Sequence, residues 1–248
     1  MTSVGENIIS HSIRYDLEII ANLIKEKTRI LDIGCGSGEL MAYLKDKKNV
    51  DCRGIEISQE MVAKSLLKGL SVIHGDANFD LHIYPDKSFN YAILGQTIQA
   101  MNNPKEMLEE MLRIADYAIV SLPNFANYKN RFHLFFKGTM PVNKTIPFQW
   151  FETPNIHFCS IRDFENLCKK MNLIIEQKIF LSAKHRFIKI FGIDPIANFF
   201  ADYGIFLIKR KQYCLTGQEQ FVEQKFVFKQ NPAIGFSAKI INQFSKTK

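Results

Sequence analysis

The sequence lacks several features that mark specialised classes of protein. No apolar run approaches the ~20 residues of a membrane-spanning helix, and the nearest run, Phe199–Ile208, is interrupted by Asp202. The five cysteines form no C-x-x-C pair, which argues against a zinc site or a disulfide framework. The first residues contain no basic start followed by an apolar block, so no secretory signal is predicted. We therefore expect a soluble, cytoplasmic protein with no metal and no membrane contact.

Acidic residues are fewer than basic ones, and this imbalance is concentrated near the C-terminus. The formal net charge is +7, and residues 211–248 contribute +4 of it through six lysines and two glutamates. The other basic residues are spread along the chain, and no nucleic-acid-binding motif accompanies them. The charge therefore indicates a solvated lysine-rich surface, and we expect no nucleic-acid partner.

The length and composition are those of one globular domain with an extension. A chain of 248 residues, 46% of them hydrophobic, can bury the core of a full α/β domain. We predict this domain over residues 1–210 and a basic C-terminal extension of unknown role over residues 211–248. The extension contains five phenylalanines but no long periodic stretch. It fits either an appended strand pair or a loosely packed segment, and we favour a peripheral extension.

Residues 30–38, ILDIGCGSG, form the most informative motif. A short apolar strand runs into Gly34, Gly36 and Gly38, and a helix-prone stretch follows. The third glycine comes one residue earlier than in the G-x-G-x-x-G motif that binds a pyrophosphate. The carboxylate of Asp32 would repel a phosphate but could accept a hydrogen bond from a ligand ammonium group. The pattern D-x-G-x-G-x-G resembles motif I of class I S-adenosylmethionine (SAM) methyltransferases.

Further polar residues follow at the ends of successive predicted strands. Glu56 ends a second strand 18 residues beyond Gly38, and Asp76 and Gln96 follow the third and fourth strands. Ligands of open α/β sheets bind at this carboxyl edge. The alternative, ordinary loop acids on an unrelated sheet, needs several independent spacings to coincide. The resemblance implies that SAM or S-adenosylhomocysteine is held by Asp32, Gly34, Cys35, Gly36, Gly38, Glu56, Ile57, Asp76, Ala77 and Gln96.

The order of predicted elements defines the fold class. Strands and helices alternate through residue 121, which predicts parallel βαβ units, and Leu173–Phe180 and Tyr203–Lys209 are predicted as two final strands. Ser58, Asn103 and Ser160 are predicted helix caps. Seven strands of this kind match the methyltransferase architecture. The resemblance therefore implies an α/β, class I methyltransferase-like Rossmann fold, with a seven-stranded, mostly parallel sheet, an antiparallel edge hairpin and helices on both faces.

A long aromatic segment lies between the fifth strand and the Ser160 helix. We predict a basic amphipathic helix over Tyr128–Lys137 that Gly138 ends, followed by a proline-punctuated loop with the only tryptophan, Trp150. A long aromatic loop over the carboxyl edge fits either a cofactor lid or a partner surface. We favour an interface, because the segment combines basic and aromatic side chains. These are Arg131, Lys137, Lys144, Phe132, Phe135, Phe136, Trp150 and Phe151.

The same segment resembles the MetW family of methionine biosynthesis proteins, which have a methyltransferase fold. The matching blocks are PNF (123–125), GTMPVNKTIPFQW (138–150), TPNIHFCSIRDFE (153–165) and QTIQA (96–100). With motif I, the resemblance covers about residues 12–209. It implies a role beside the homoserine O-acyltransferase called MetX, whose activity or assembly MetW-like proteins support.

No residue stands out as catalytic. Methyl transfer from a sulfonium needs mainly a well-positioned acceptor and exclusion of water, so a missing motif decides nothing. His133, Tyr128 and His157 are candidate bases, but a packing or surface role is more common for a histidine placed like His133, and a structural hydrogen bond is favoured for His157. Two hypotheses remain. We favour a SAM-binding accessory protein of the acyltransferase, and the alternative is an independent small-molecule methyltransferase whose acceptor enters under residues 123–157.

Overall fold

A computed structural model describes residues 13–143, 145–182, 194–211, 226–231 and 235–240. Contacts divide the chain into two units, Met1–Arg210 and Lys211–Lys248. Within the described ranges, no helix has both the length and the apolar character that a membrane span requires.

The first unit contains a seven-stranded sheet and its flanking helices. The strands are β1 (Arg29–Ile33), β2 (Asp51–Glu56), β3 (Ser71–His74), β4 (Phe89–Gly95), β5 (Ala115–Pro123), β6 (Leu173–Leu181) and β7 (Tyr203–Arg210). The helices are α1 (Tyr15–Leu23), α2 (Glu39–Lys48), α3 (Gln59–Leu67), α4 (Ala77–Asp80), α5 (Pro104–Ile114), α6 (Tyr128–Lys137), α7 (Ile161–Lys170) and α8 (Asp194–Phe200). Short 3₁₀ turns lie at Leu81–Ile83 and Ile98–Ala100.

The strand order is β3-β2-β1-β4-β5-β7-β6. Strands β1 to β5 pair in parallel, whereas β7 is antiparallel to both β5 and β6. This arrangement confirms the predicted fold class, including the antiparallel edge hairpin. Because β1, β2, β3 and β4 are parallel, their carboxyl ends meet at one edge of the sheet.

Alternate side chains of the strands serve two core layers. In β1, Leu31 and Ile33 belong to the layer that contains α5 residues such as Leu108. Ile30 belongs to the opposite layer, together with Ile20 of α1 and other apolar residues of α1 and α2. The period of two along a strand therefore explains why helices cover both faces.

Predicted helix boundaries are confirmed where a cap sets them. Asn103 accepts a hydrogen bond from the Glu106 amide, and Ser160 and Asp163 form a reciprocal capping box. Gly138 ends α6 in the left-handed conformation, with φ of 63°. The helix α8 was not predicted, because its seven residues carry too short a periodic pattern to separate from the apolar run that follows.

The second unit contains an antiparallel strand pair. Strand β8 (Phe226–Asn231) pairs with β9 (Gly235–Ile240). The backbone therefore adopts the strand pair that was one of the two alternatives for this extension.

Candidate functional site

The glycine loop follows β1, and each of its glycines has a positive φ: 71° at Gly34, 54° at Gly36 and 74° at Gly38. A Cβ atom at Gly38 would overlap the Leu70 side chain and approach the Ser65 Oγ to 3.0 Å. A Cβ atom at Gly36 would meet nothing within 4 Å. Gly38 thus lets α2 start close to its neighbours, whereas Gly36 borders open space that a ligand can use.

Glu56 at the end of β2 fixes this loop. Its Oε2 accepts a hydrogen bond from the Gly36 amide at 2.9 Å, and its Oε1 accepts one from the Ser58 amide at 2.8 Å. The carboxylate is buried. Charge-assisted bonds to two backbone amides hold it at the entrance to the glycine loop, and each oxygen keeps a lone pair for a ligand hydroxyl.

Asp32 lies beside this loop in a cavity of about 180 Å³, which Gly34, Cys35 and Gly36 also line. Asp32 is buried, with only 5% of its surface exposed. Burial, and then the negative charge of Glu56, raise the pKa of Asp32 to about 7. Two buried carboxylates in one place repel each other and lack solvation, and a cationic group in the cavity would relieve both penalties. The site is therefore chemically suited to a ligand ammonium group.

The other predicted residues lie in three different settings. Cys35 lines the cavity, and burial raises the pKa of its thiol to about 12, so the thiol stays protonated. Ile57 exposes its side chain to solvent. Asp76 and Ala77 begin α4, where the Asp76 carboxylate accepts the Asn78 amide at 2.9 Å. Neither borders the cavity around Asp32.

Gln96 occupies an unexpected position. It has a φ of 54°, and its Nε2 donates to the Asp16 Oδ2 at 2.8 Å. Asp16 also accepts two hydrogen bonds from Arg14, from Nη2 at 2.7 Å and from Nε at 3.1 Å. These bonds hold the pKa of Asp16 below its usual range although burial opposes the shift. Arg14 lines the cavity with Asp32.

Sequence reasoning missed Arg14 and Asp16. Both lie next to the start of α1, where the only sequence signal is the apolar period of the helix. An acid in the first turn of a helix is common for dipole reasons, so it does not by itself indicate a site. Their role depends on tertiary packing against Gln96, 80 residues away in the chain.

The segment 145–158 covers the carboxyl ends of β4 and β5. The amides of Ile156 and His157 both donate to the Gln99 carbonyl, at 2.8 and 2.9 Å. Ile146 of the segment is buried. The cavity enclosed there, lined by Gln99 and His157 among others, has a volume of only about 10 Å³. The segment therefore packs against its own domain through Ile146, Ile156 and His157.

The outer side chains of this region are exposed. Trp150 is 68% exposed and Phe135 is 81% exposed, and three more aromatic residues expose half or more of their surface. We call these five the aromatic surface: Phe132, Phe135, Phe136, Trp150 and Phe151. Arg131 lies beside it, with its guanidinium 5.5 Å from the Phe199 ring centre. Lys144, which was predicted to contribute, lies outside the described residues.

The candidate bases do not line the cavity around Asp32. The His133 Nε2 lies 3.1 Å from the Thr139 Oγ1, and the His157 Nε2 lies 3.4 Å from the Asn102 carbonyl. The Tyr128 ring stacks on Phe199 at 5.7 Å. Each of these side chains therefore has a structural contact, and we assign no catalytic residue.

Solved structures of methyltransferase fold resemble this chain. A SAM-dependent methyltransferase of Thermotoga maritima aligns with a TM-score of 0.56 and 20% identity over 79% of this chain and 89% of that one. The [4+2]-cyclase SpnF aligns with a TM-score of 0.55 and 19% identity over 79% of this chain and 80% of that one. With the observed strand order, these likenesses define the class: the protein has a class I SAM methyltransferase fold.

Sequence comparison then gives the family. The family model described as "Methionine biosynthesis protein MetW" matches residues 14–208. The "Bifunctional methionine biosynthesis protein MetXA/MetW" of Rhodopirellula baltica is 34% identical over 178 residues, which cover 68% of this chain and 29% of that protein. The match thus spans less than a third of that relative's length. The chain belongs to the MetW family.

Proposed function

We propose that this protein binds SAM or S-adenosylhomocysteine and supports a MetX-type homoserine O-acyltransferase in methionine biosynthesis. The observation that carries the proposal is the relative in which MetXA and MetW are named as parts of one protein. Fusion keeps two modules at high effective concentration without a strong interface. A MetW-family chain that is not fused to its partner needs a surface that binds the partner instead.

The cavity around Asp32 supports the ligand assignment. The ammonium group of the ligand neutralises the buried Asp32, and the ribose hydroxyls donate to the lone pairs that Glu56 leaves free. Open space at Gly36 admits the ligand close to the backbone. SAM is the distal product of the methionine pathway, so a protein that binds it can report the state of that pathway to the acyltransferase.

The aromatic surface supports the partner assignment. A lid packed on its own domain would bury its large side chains, but Trp150 and Phe151 are both mostly exposed. Aromatic residues beside an arginine are typical of interface hot spots. We therefore assign the acyltransferase to this surface.

The alternative function, an independent small-molecule methyltransferase, requires space for a methyl acceptor. The cavity under the 145–158 segment holds about 10 Å³, about the volume of one water-sized sphere. An acceptor would have to displace Ile146 and break the backbone bonds to Gln99. The closed segment therefore favours the accessory role.

Two substitutions test the partner surface. We expect Trp150→Ala and Arg131→Glu to weaken binding to the acyltransferase, by roughly thirtyfold for a hot-spot tryptophan, and to leave SAM affinity within twofold. Leu67→Ala is the control, because Leu67 is an even more exposed apolar residue outside the aromatic surface. Pull-down and calorimetry measure the two affinities. Retained co-purification with lost SAM binding would establish a lid and overturn the interface.

A further inference from the structure

The cavity around Asp32 carries opposite charges on its lining. Arg14 and Asp32 both border it, and so does the exposed Glu39 at the start of α2. Asp32 is buried, whereas the side chain of Arg14 is 58% exposed. The cavity therefore offers one cation near solvent and one buried anion, with a second anion at its margin.

This pair of charges matches an α-amino acid group. A buried carboxylate accepts hydrogen bonds from an ammonium group, and a guanidinium donates two parallel hydrogen bonds to a carboxylate. A ligand with only an ammonium group would use Asp32 and leave Arg14 without a ligand contact. A zwitterionic ligand would use both.

Arg14 is held in place by groups outside the cavity. Its Nε and Nη2 atoms donate to Asp16 at 3.1 and 2.7 Å, and Asp16 is fixed in turn by Gln96 at 2.8 Å. Among the described residues, no hydrogen bond occupies the Arg14 Nη1. One edge of the guanidinium is thus used for positioning, and the other is available for a carboxylate.

The same hydrogen bonds continue to the 145–158 segment. The Gln96 carbonyl accepts the Gln99 Nε2 at 2.5 Å, and the Gln99 carbonyl accepts the amides of Ile156 and His157. A chain of four residues, Arg14, Asp16, Gln96 and Gln99, therefore connects the cavity to the segment that presents Trp150. Contiguous hydrogen bonds of this kind can carry coupling between two sites.

We propose that Arg14 binds the carboxylate of the ligand's amino-acid group, and that Asp16, Gln96 and Gln99 couple this contact to the 145–158 segment. The inference rests on the proposed function, because it assigns a subsite within the same SAM cavity. The ligand class is a nucleoside with an intact α-amino acid group. A decarboxylated analogue lacks the group that Arg14 recognises.

The test compares SAM with decarboxylated SAM, which differ by the carboxylate alone. Calorimetry measures both affinities for the full chain, for Arg14→Met and for Arg29→Met. Arg29→Met is the control, because Arg29 is another half-exposed arginine that is bonded to an aspartate. We expect Arg14→Met to weaken SAM binding by roughly tenfold or more and to leave decarboxylated SAM unchanged. Arg29→Met should change neither affinity. Arg14→Lys keeps the charge and should recover part of the loss.

Hydrogen exchange tests the coupling. SAM should slow exchange of the Ile156 and His157 amides in the unmodified protein, and decarboxylated SAM should not. Gln99→Leu should abolish this response while SAM still binds, because it removes the bond to Gln96.

The outcomes separate the two proposals. Failure of the unmodified protein to bind either nucleoside overturns the proposed function and this inference together. Binding of both nucleosides with equal affinity, or equal losses of both in Arg14→Met, overturns the role of Arg14 alone. An exchange response that persists in Gln99→Leu overturns the coupling.

Discussion

The cavity around Asp32 and the aromatic surface depart from ordinary burial in opposite directions. The carboxylate of Asp32 in the cavity and that of Glu56 beside the glycine loop are buried, although water would otherwise solvate them. The aromatic surface exposes Trp150 and Phe135, which a protein core would otherwise enclose. Both arrangements reduce folding stability, and each is relieved by a different partner. Under the proposed function, a cationic ligand relieves the first, and an apolar protein surface relieves the second.

The proposed function therefore assigns two kinds of recognition to one edge of the sheet. The cavity depends on short loops whose glycines and acids follow β1 and β2 directly. The aromatic surface depends on a long insertion after β5 that is anchored through Gln99. Substitutions in one region should therefore leave the other intact unless they affect the chain from Arg14 to Gln99.

The largest effect is expected within the glycine loop itself. Gly38→Ala should lower the free energy of unfolding by about 3 kcal/mol, because its methyl group overlaps Leu70 in a left-handed backbone. Gly36→Ala has the same backbone strain without the overlap, so it should cost only about 1 kcal/mol. Its methyl group enters ligand space, so SAM binding should weaken. Urea denaturation and calorimetry measure both; equal stability losses would contradict the packing role of Gly38.

Glu56→Ala should affect the cavity and spare the aromatic surface. Loss of the acceptor for the ribose hydroxyls should weaken SAM binding by about 1.5–3 kcal/mol. Glu56→Gln keeps the size of the side chain and removes its negative charge, so it separates the effect of the charge from the effect of the missing side chain. Calorimetry checks the prediction, and an unchanged affinity in the alanine variant would remove the ribose assignment.

Asp32 makes the cavity sensitive to pH. Its folded-state pKa of about 7 lies above the ordinary aspartate value of 3.8, so the folded state binds its proton more tightly than the unfolded state. The ligand-free protein should therefore lose stability from this group as the pH rises from about 4 to about 7. Asp32→Asn should raise the free energy of unfolding at pH 8 by about 1–2 kcal/mol, and the gain should vanish near pH 4. A gain that does not change with pH would contradict the assignment.

The same titration should appear in ligand binding. Because a ligand ammonium group favours the ionised carboxylate, SAM affinity should fall as the pH drops below about 7, by up to roughly tenfold per unit. Asp32→Asn should bind SAM weakly and without this slope. Calorimetry across the pH range measures it.

The smallest effect is expected from removal of the extension. The sheet ends with β7 at Arg210, and no residue of the cavity or the aromatic surface lies beyond it. Truncation after Arg210 should leave a cooperative thermal transition and SAM binding within about twofold. Loss of the cooperative transition would show that residues 211–248 complete the core.

The fold was predictable because local signals agree with the global pattern. Most strands of the sheet contain a short apolar run next to turn residues, and caps such as Ser160 fix the helix starts. The glycine loop and Glu56 were predictable because their spacing reflects a backbone requirement. Whether the ten predicted residues bind SAM stays a prediction.

The rest of the site was not predictable, for physical reasons. Arg14 and Asp32 line the same cavity although they are distant in the chain, and no local pattern in the sequence records that proximity. Gln96 stays a predicted cofactor contact, and nothing in the sequence indicates that its Nε2 also bonds Asp16. A flexible amide side chain in a left-handed turn has several rotamers, and the tertiary partner selects one of them.

The most direct test of the account combines this protein with the homoserine O-acyltransferase of the same organism. The rate of acyl transfer to homoserine is measured with the acyltransferase alone, with this protein added, and with SAM added as well. The account predicts a stable complex and a rate that depends on this protein, with Trp150→Ala reducing both. An acyl-transfer rate unchanged by this protein, together with conversion of SAM to S-adenosylhomocysteine on a small acceptor, would contradict it.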